Sequence, residues 1–212
     1  MKLYLSSYRL GKKFSFLENW IKENGNKITV IPNALDDIDD KKKLEETILD
    51  RCLDIKKIGF DIEVLDLRNY FNKKEELNSF LEKRNSFYVL GGNVFILNRA
   101  MKLSGFDNYL INNIDNDNIL YSGFSAGICI LSKNLEGLDL VVDPECDPYN
   151  SDINTMKGIG IIDYLPVPHY KSDHPASSLI DKVIDYLDNN NLSYRKLQDG
   201  DVIIESTKRE GK

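Results

Sequence analysis

Ile119-Leu120-Tyr121-Ser122-Gly123-Phe124-Ser125-Ala126-Gly127-Ile128-Cys129-Ile130-Leu131 is the stretch whose reading decides the fold. Its apolar run ends at Gly123 and a helical pattern begins at Ser125, which predicts a buried strand, a sharp turn bearing one serine, and the first turns of an apolar helix. Glycines two residues to either side of Ser125 remove Cβ atoms that would collide in a strained strand-to-helix turn. Such a turn raises the serine Oγ above the sheet. The amides that follow, beginning with that of Ala126, then sit where they can stabilise an oxyanion. A plain βα turn with Ser125 as helix N-cap fits the same letters, so the turn alone does not fix the chemistry.

Upstream, strands and helices alternate. Leu3-Tyr4-Leu5 predicts a first strand, and Phe16, Leu17, Trp20 and Ile21 fall on one face of a helix that stops at Asn24-Gly25. Ile28-Thr29-Val30-Ile31, ended by Pro32, reads as a strand buried on both faces. From Asp36 to Lys57, Leu44, Ile48, Leu49, Cys52 and Ile55 recur at helical intervals, and the acidic start suits a helix N-terminus. Phe60 to Leu67 predicts a third strand, Lys73 to Lys83 a helix, and Phe87-Tyr88-Val89-Leu90 a fourth strand. Gly91-Gly92-Asn93 breaks that strand before a helical run from Val94 to Leu103. A glycine pair at the carboxyl end of a parallel strand lets backbone amides approach a ligand, so Gly92 is a candidate second oxyanion donor. A short helix is expected at Phe106 to Ile114.

Downstream the pattern loosens. Leu140-Val141-Val142 reads as a short strand, and an apolar segment from Ile159 to Val167 leads to His169. Ala176 to Leu187 is amphipathic after Pro175, and Tyr194 to Ile204 predicts a small C-terminal hairpin around Asp199-Gly200. Residues 208–212 are expected to fray. The alternation implies an α/β fold: a mostly parallel central sheet with helices on both faces, whose ligands bind beyond the carboxyl ends of the strands. Gly92 and Ser125 both fall at such ends. With no repeat and no compositional break, residues 1–212 are expected to form a single domain.

With Lys plus Arg at 28 and Asp plus Glu at 34, the net charge of −6 argues against nucleic acid or an anionic membrane as the main partner. Three cysteines without a C-x-x-C pair point to a reduced, cytoplasmic setting, and the N-terminus reads as a core strand rather than a signal peptide. Only His169 and His174 are available as histidine ligands, and no zinc-type spacing surrounds them, so no metal is expected. A serine hydroxyl needs a base. His169 follows Pro166-Val167-Pro168, a stiff approach that favours it over His174, which sits in a polar loop.

Gly91-Gly92-Asn93-Val94-Phe95-Ile96-Leu97, Gly123-Phe124-Ser125-Ala126-Gly127 and Pro168-His169-Tyr170 together resemble the three signature blocks of the peptidase E family of serine peptidases, in the family's order. That family includes cyanophycinases and is related in fold to the class I glutamine amidotransferases, a flavodoxin-like architecture. The resemblance implies a cofactor-free cytoplasmic dipeptidase acting on small peptides through an acyl-enzyme. By the same resemblance Ser125 matches the nucleophile, His169 the base, and Gly92 and Ala126 the oxyanion amides. The orienting acid corresponds either to Asp199, in a late turn reading Gln198-Asp199-Gly200, or to Asp139 or Glu136 shortly after the elbow. Asn93, His174 and Lys171 are candidate substrate contacts, and a homodimer is compatible with the sequence.

One departure bears on specificity. Relatives that remove N-terminal aspartate carry an arginine soon after the base, whereas here Tyr170-Lys171-Ser172-Asp173-His174-Pro175 follows and no arginine occurs before Arg195. Aspartyl specificity is therefore not implied. Two other readings share the elbow: an α/β-hydrolase-type esterase, and a binding or regulatory protein with the same fold but no turnover. In either case Cys129, a helical turn past the elbow, is expected to face the core.

Overall fold

The computed structural model describes residues 1–207; the tail 208–212 lies outside the described residues. Five strands are parallel: β1 (Lys2–Ser6), β2 (Lys27–Ile31), β3 (Asp61–Val64), β4 (Ser86–Val89) and β5 (Leu120–Phe124). With β8 (Val202–Ser206) added antiparallel to β1, they form a sheet of order β3-β2-β4-β5-β1-β8. β6 (Leu165–Val167) and β7 (Tyr194–Lys196) make a separate parallel pair.

Alternation along the central strands divides the core in two. Leu3, Leu5, Phe87, Val89 and Tyr121 point to one face, which is covered by α3 (Lys74–Leu81), α4 (Val94–Ser104), α5 (Phe106–Asn112), α6 (Ala126–Cys129) and α7 (Ser177–Asn189). Tyr4, Tyr88 and Leu120 point to the other, against Leu17 and Trp20 of α1 (Ser15–Asn24) and Cys52 and Ile55 of α2 (Lys41–Lys57). Strands apolar on both faces are what a parallel sheet between two helical layers requires. Of their buried polar groups, Ser122 Oγ donates to the Phe87 carbonyl at 2.6 Å and Ser86 Oγ accepts from Trp20 Nε1–H at 2.8 Å, whereas the Tyr88 hydroxyl is buried with no partner among the described residues. Among the described residues no helix is long and apolar enough to cross a membrane.

The structure departs from the sequence reading at five places. Residues 194–204 do not form a hairpin, although Asp199-Gly200 does turn the chain. β7 lies beside β6, and β8 crosses to the edge at β1. Residues 138–142 are a 3-10 turn (Leu138–Leu140) rather than a strand, because Gly137 at φ 88° lets the Leu140 and Val141 amides bond back to Gly137 and Leu138. α2 begins at Lys41, where the Asp40 side chain accepts the Lys43 amide at 3.0 Å. Asp36 is instead buried, accepting from Asn33 Nδ2 at 2.7 Å and from the Tyr149 hydroxyl. Leu49, one of the apolar residues recurring at helical intervals in α2, is 59% exposed. Finally, α6 is a single turn of four residues, shorter than the expected helix.

Candidate active site

Register explains how the site assembles. β1 and β5 run side by side with Ser6 opposite Phe124, so the chains emerging from their carboxyl ends, Ser7 and Ser125, are neighbours. β6 and β7 are also parallel, with Val167 opposite Lys196, so His169 and Asp199 emerge together a few residues on. Backbone bonds from Leu197 N–H to Val167 O (2.9 Å) and from Tyr170 N–H to Leu197 O (3.0 Å) hold that juxtaposition.

Ser125 sits at φ 51°, ψ −120°, a region that non-glycine residues seldom occupy. Four hydrogen bonds hold the turn there. Its N–H donates to Ser6 O at 3.3 Å, its carbonyl accepts the Ile128 and Cys129 amides, and the Tyr121 hydroxyl donates to Gly127 O at 2.6 Å. The flanking glycines are required by the neighbouring strand. A Cβ on Gly123 would lie 2.7 Å from Val89 O, and one on Gly127 would lie 2.3 Å from the same oxygen. The Ser125 side chain itself is half-buried and faces a cavity of about 900 Å³.

His169 is buried, at φ 62°. Its Nε2 is 3.0 Å from Ser125 Oγ, and its Nδ1 is 2.9 Å from Asp199 Oδ1. An ionised carboxylate only accepts, so Nδ1 carries the proton and the Nε2 lone pair faces the serine hydroxyl. Burial holds the His169 pKa below the ordinary 6.5, and the neighbouring His174 lowers it further, while the Asp199 hydrogen bond and charge oppose both. His174 is not a loose surface imidazole: it stacks on His169 with ring centroids 3.7 Å apart and planes 11° apart. Its Nδ1 accepts the Ala176 amide at 3.1 Å.

The remaining candidates divide. Asp139 accepts from the Gly137 amide and Glu136 from the Tyr186 hydroxyl, so neither reaches His169, and Asp199 is the carboxylate brought to it. Gly92 and Ala126 line the cavity, and their N–H groups donate to no acceptor among the described residues. Asn93 also lines it, but its side chain is engaged elsewhere. Its Oδ1 caps α4 by accepting the Phe95 and Ile96 amides, and its Nδ2 donates to Asp143 O at 2.9 Å. Lys171 is exposed, with its ammonium 5.2 Å from the Tyr170 ring centroid, and does not line the cavity. Cys129 donates to Pro166 O at 3.3 Å, and burial pushes its pKa up to about 12, so it holds no ready thiolate. Among the described residues no group of three or more His, Cys, Asp or Glu side chains could hold a metal ion.

Sequence reasoning missed three contributors: Ser7, which touches both His169 and Asp199; Tyr8, whose ring packs against both imidazoles; and Arg51, which donates to Gly91 O from α2. Ser7 and Tyr8 follow the first strand, and small or polar residues at a strand end carry no distinguishing signal. The far wall of the cavity is stitched to α4 through Arg99, which pairs with Asp147 at 3.2 Å and donates to the Pro144 and Cys146 carbonyls.

The chain is similar to peptidases in sequence and in fold. Two uncharacterized peptidases match over 130 residues, one from Listeria innocua at 26% identity and one from Listeria monocytogenes at 27%. Each match takes in 61% of this chain, which spans 59% and 60% of the length of these curated relatives. A crystal structure of a candidate peptidase E protein from Listeria monocytogenes superposes with a TM-score of 0.69 at 21% identity, covering 97% of this chain and 98% of that one. A peptidase from an acI-B1 actinobacterium superposes at 0.67 and 17% identity, covering 97% and 83%. These structures share the fold. The model of peptidase family S51 matches residues 6–208, and the chain belongs to that family.

Proposed function

We propose that this peptidase-family protein is a serine-type dipeptidase that hydrolyses short peptides through Ser125, His169 and Asp199. The observation that carries the reading is the unbroken chain of contacts from Ser125 Oγ to His169 at 3.0 Å and on to Asp199 at 2.9 Å, opening into the cavity. Ser125 Oγ attacks the scissile carbonyl carbon as its proton passes to His169 Nε2. The resulting oxyanion is received by the Gly92 and Ala126 amides. His169 then gives that proton to the leaving amine, and a water deprotonated by the same nitrogen hydrolyses the acyl-enzyme. Asp199 stays ionised throughout and holds the imidazole in the required tautomer.

A cavity of about 900 Å³ suits a short peptide rather than a folded chain. Aspartyl specificity is not part of this reading, since no arginine follows the base before Arg195 and Lys171 lies outside the cavity. Three free thiols fit a reducing, cytoplasmic setting. Family membership and the fold weigh against an α/β-hydrolase-type esterase.

The test is to screen dipeptides and isoaspartyl dipeptides and to label the protein with a fluorophosphonate. Wild type is expected to react and Ser125→Ala to be inert in both assays. His169→Ala should lose at least about 10²-fold in kcat/KM, and His174→Ala less. A wild type that neither labels nor cleaves would point to the non-catalytic binding protein. Greater damage from His174→Ala would reassign the base.

A further inference from the structure

One dipeptide at the carboxyl end of β1 touches all three of these residues. The Ser6 carbonyl accepts the Ser125 N–H at 3.3 Å. The Ser7 hydroxyl accepts the His169 backbone N–H at 2.9 Å and lies 2.9 Å from Asp199 Oδ1, the same oxygen that holds His169 Nδ1. Ser7 N–H donates to Asp201 O at 3.1 Å, which fastens the far side of the Asp199 turn to the same strand end. Ser7 is completely buried.

A serine hydroxyl has one proton to donate. Leu197 O stands 3.2 Å away and the Asp199 carboxylate 2.9 Å, and the shorter, charge-assisted bond is the stronger. Ser7 therefore accepts from the base's main chain and donates to the acid's side chain at once. Both Ser125 and His169 occupy the positive-φ region, which is strained for a side-chain-bearing residue, and such conformations persist only where the surroundings over-determine them. The backbone amides of both strained residues end on Ser6 and Ser7.

We propose that Ser7 is a positioning residue of the hydrolytic site, fixing the Asp199 carboxylate and the His169 main chain relative to each other through one hydroxyl. The proposal rests on the roles given above to Ser125, His169 and Asp199. It makes the site a four-membered network in which the end of the first strand sets the geometry of the other three. The groups facing the His169 ring are His174 stacked on it, Tyr8 at 5.9 Å, and Asp199. Arg51 acts on His174.

The chain has only two histidines, so selective ¹³C-histidine labelling gives two titration curves, assigned with His174→Gln. In Ser7→Ala the carboxylate loses a donor and holds the imidazolium more strongly. The His169 midpoint should rise by roughly half a pH unit or more, with His174 moving less. On the best dipeptide of the screen, kcat should fall about 10-fold with KM within about twofold, and Ser7→Thr, which keeps the hydroxyl, should recover most of it. A His169 midpoint unchanged in Ser7→Ala overturns the proposal, whatever happens to thermal stability. Should Ser7→Ala not fold, Ser7→Cys, nearly the same size but a far weaker hydrogen-bonding group, is titrated in its place with the same criterion. A wild type that takes no fluorophosphonate, while His169 still shifts in Ser7→Ala, overturns the nucleophile assignment and leaves the network standing.

Discussion

Ser125 Oγ and His169 Nε2 stand 3.0 Å apart although 44 residues separate them in the chain. Neither is free to drift. The serine is held on a strained elbow anchored to Ser6 and to α6, and the imidazole is clamped between the His174 ring and the Asp199 carboxylate. A base in fixed geometry before substrate arrives is what general-base activation of a weakly acidic hydroxyl needs.

Asp199 is the one candidate acid that reaches the imidazole. Asp199→Asn preserves size but can present an N–H to Nδ1 and so favour the wrong tautomer. We expect kcat to fall by on the order of 10²–10⁴-fold. Asp139→Ala and Glu136→Ala should stay within about threefold of wild type in the same assay, because their carboxylates bond to Gly137 and Tyr186. Equal losses in all three variants would remove Asp199 from its place.

The pH dependence has a definite sign. His169 accepts a proton only when neutral, and burial, the largest cause, with His174 keeps its pKa below 6.5. Activity should therefore rise with pH through a midpoint below 6.5. For folding, the unfolded chain takes up the proton first as pH falls from 6.5, so this group removes stability on acidification and none on raising the pH. A kcat/KM profile and urea midpoints at several pH values check both. An acid limb centred above 6.5 would contradict the environment described.

Gly127→Ala should be far more damaging than Gly25→Ala. A Cβ at Gly127 meets Val89 O at 2.3 Å, backbone in the middle of the sheet, whereas at Gly25 nothing lies within 4 Å and only its φ of 88° is strained. We expect a loss of about 1–3 kcal/mol or more at Gly127, with activity disrupted, and roughly 1 kcal/mol at Gly25 with activity intact. Urea unfolding with parallel activity assays separates the two.

Asn93→Ala should act on stability before it acts on substrate. Removing the cap of α4 is worth about 0.5–2 kcal/mol, and Asn93→Ser, which restores a capping oxygen but not the bond to Asp143 O, should recover most of it. A variant of unchanged melting temperature but sharply raised KM would return Asn93 to the substrate contacts.

The order of elements was legible from residue 1 to Leu131 because β-branched runs such as Ile28 to Ile31 and helical runs such as Val94 to Leu103 are local signals. The elbow was legible for the same reason, since glycine spacing and an apolar approach act within a few residues. Beyond it one local signal misled, at Leu140 to Val142, where a 3-10 turn replaces the expected strand, and another was right while its partners were wrong. Asp199-Gly200 does turn the chain, yet β7 and β8 find their edges at β6 and β1, and a sequence window contains neither edge. Leu49 recurs at the helical spacing of α2, yet it is 59% exposed and lies outside the core that buries Cys52 and Ile55.

By itself the sequence determined the parallel α/β architecture, the serine on its glycine-flanked turn and the histidine behind its two prolines, because periodicity, turn chemistry and proline stiffness act on neighbouring residues. Only the tertiary structure decided that Asp199 rather than Asp139 or Glu136 meets His169, that His174 lies against His169, that Asn93 closes a helix, and that Ser7 bridges His169 and Asp199. Those relations run across strands, and the register of one strand on the next is fixed by packing the whole sheet between its two helical layers.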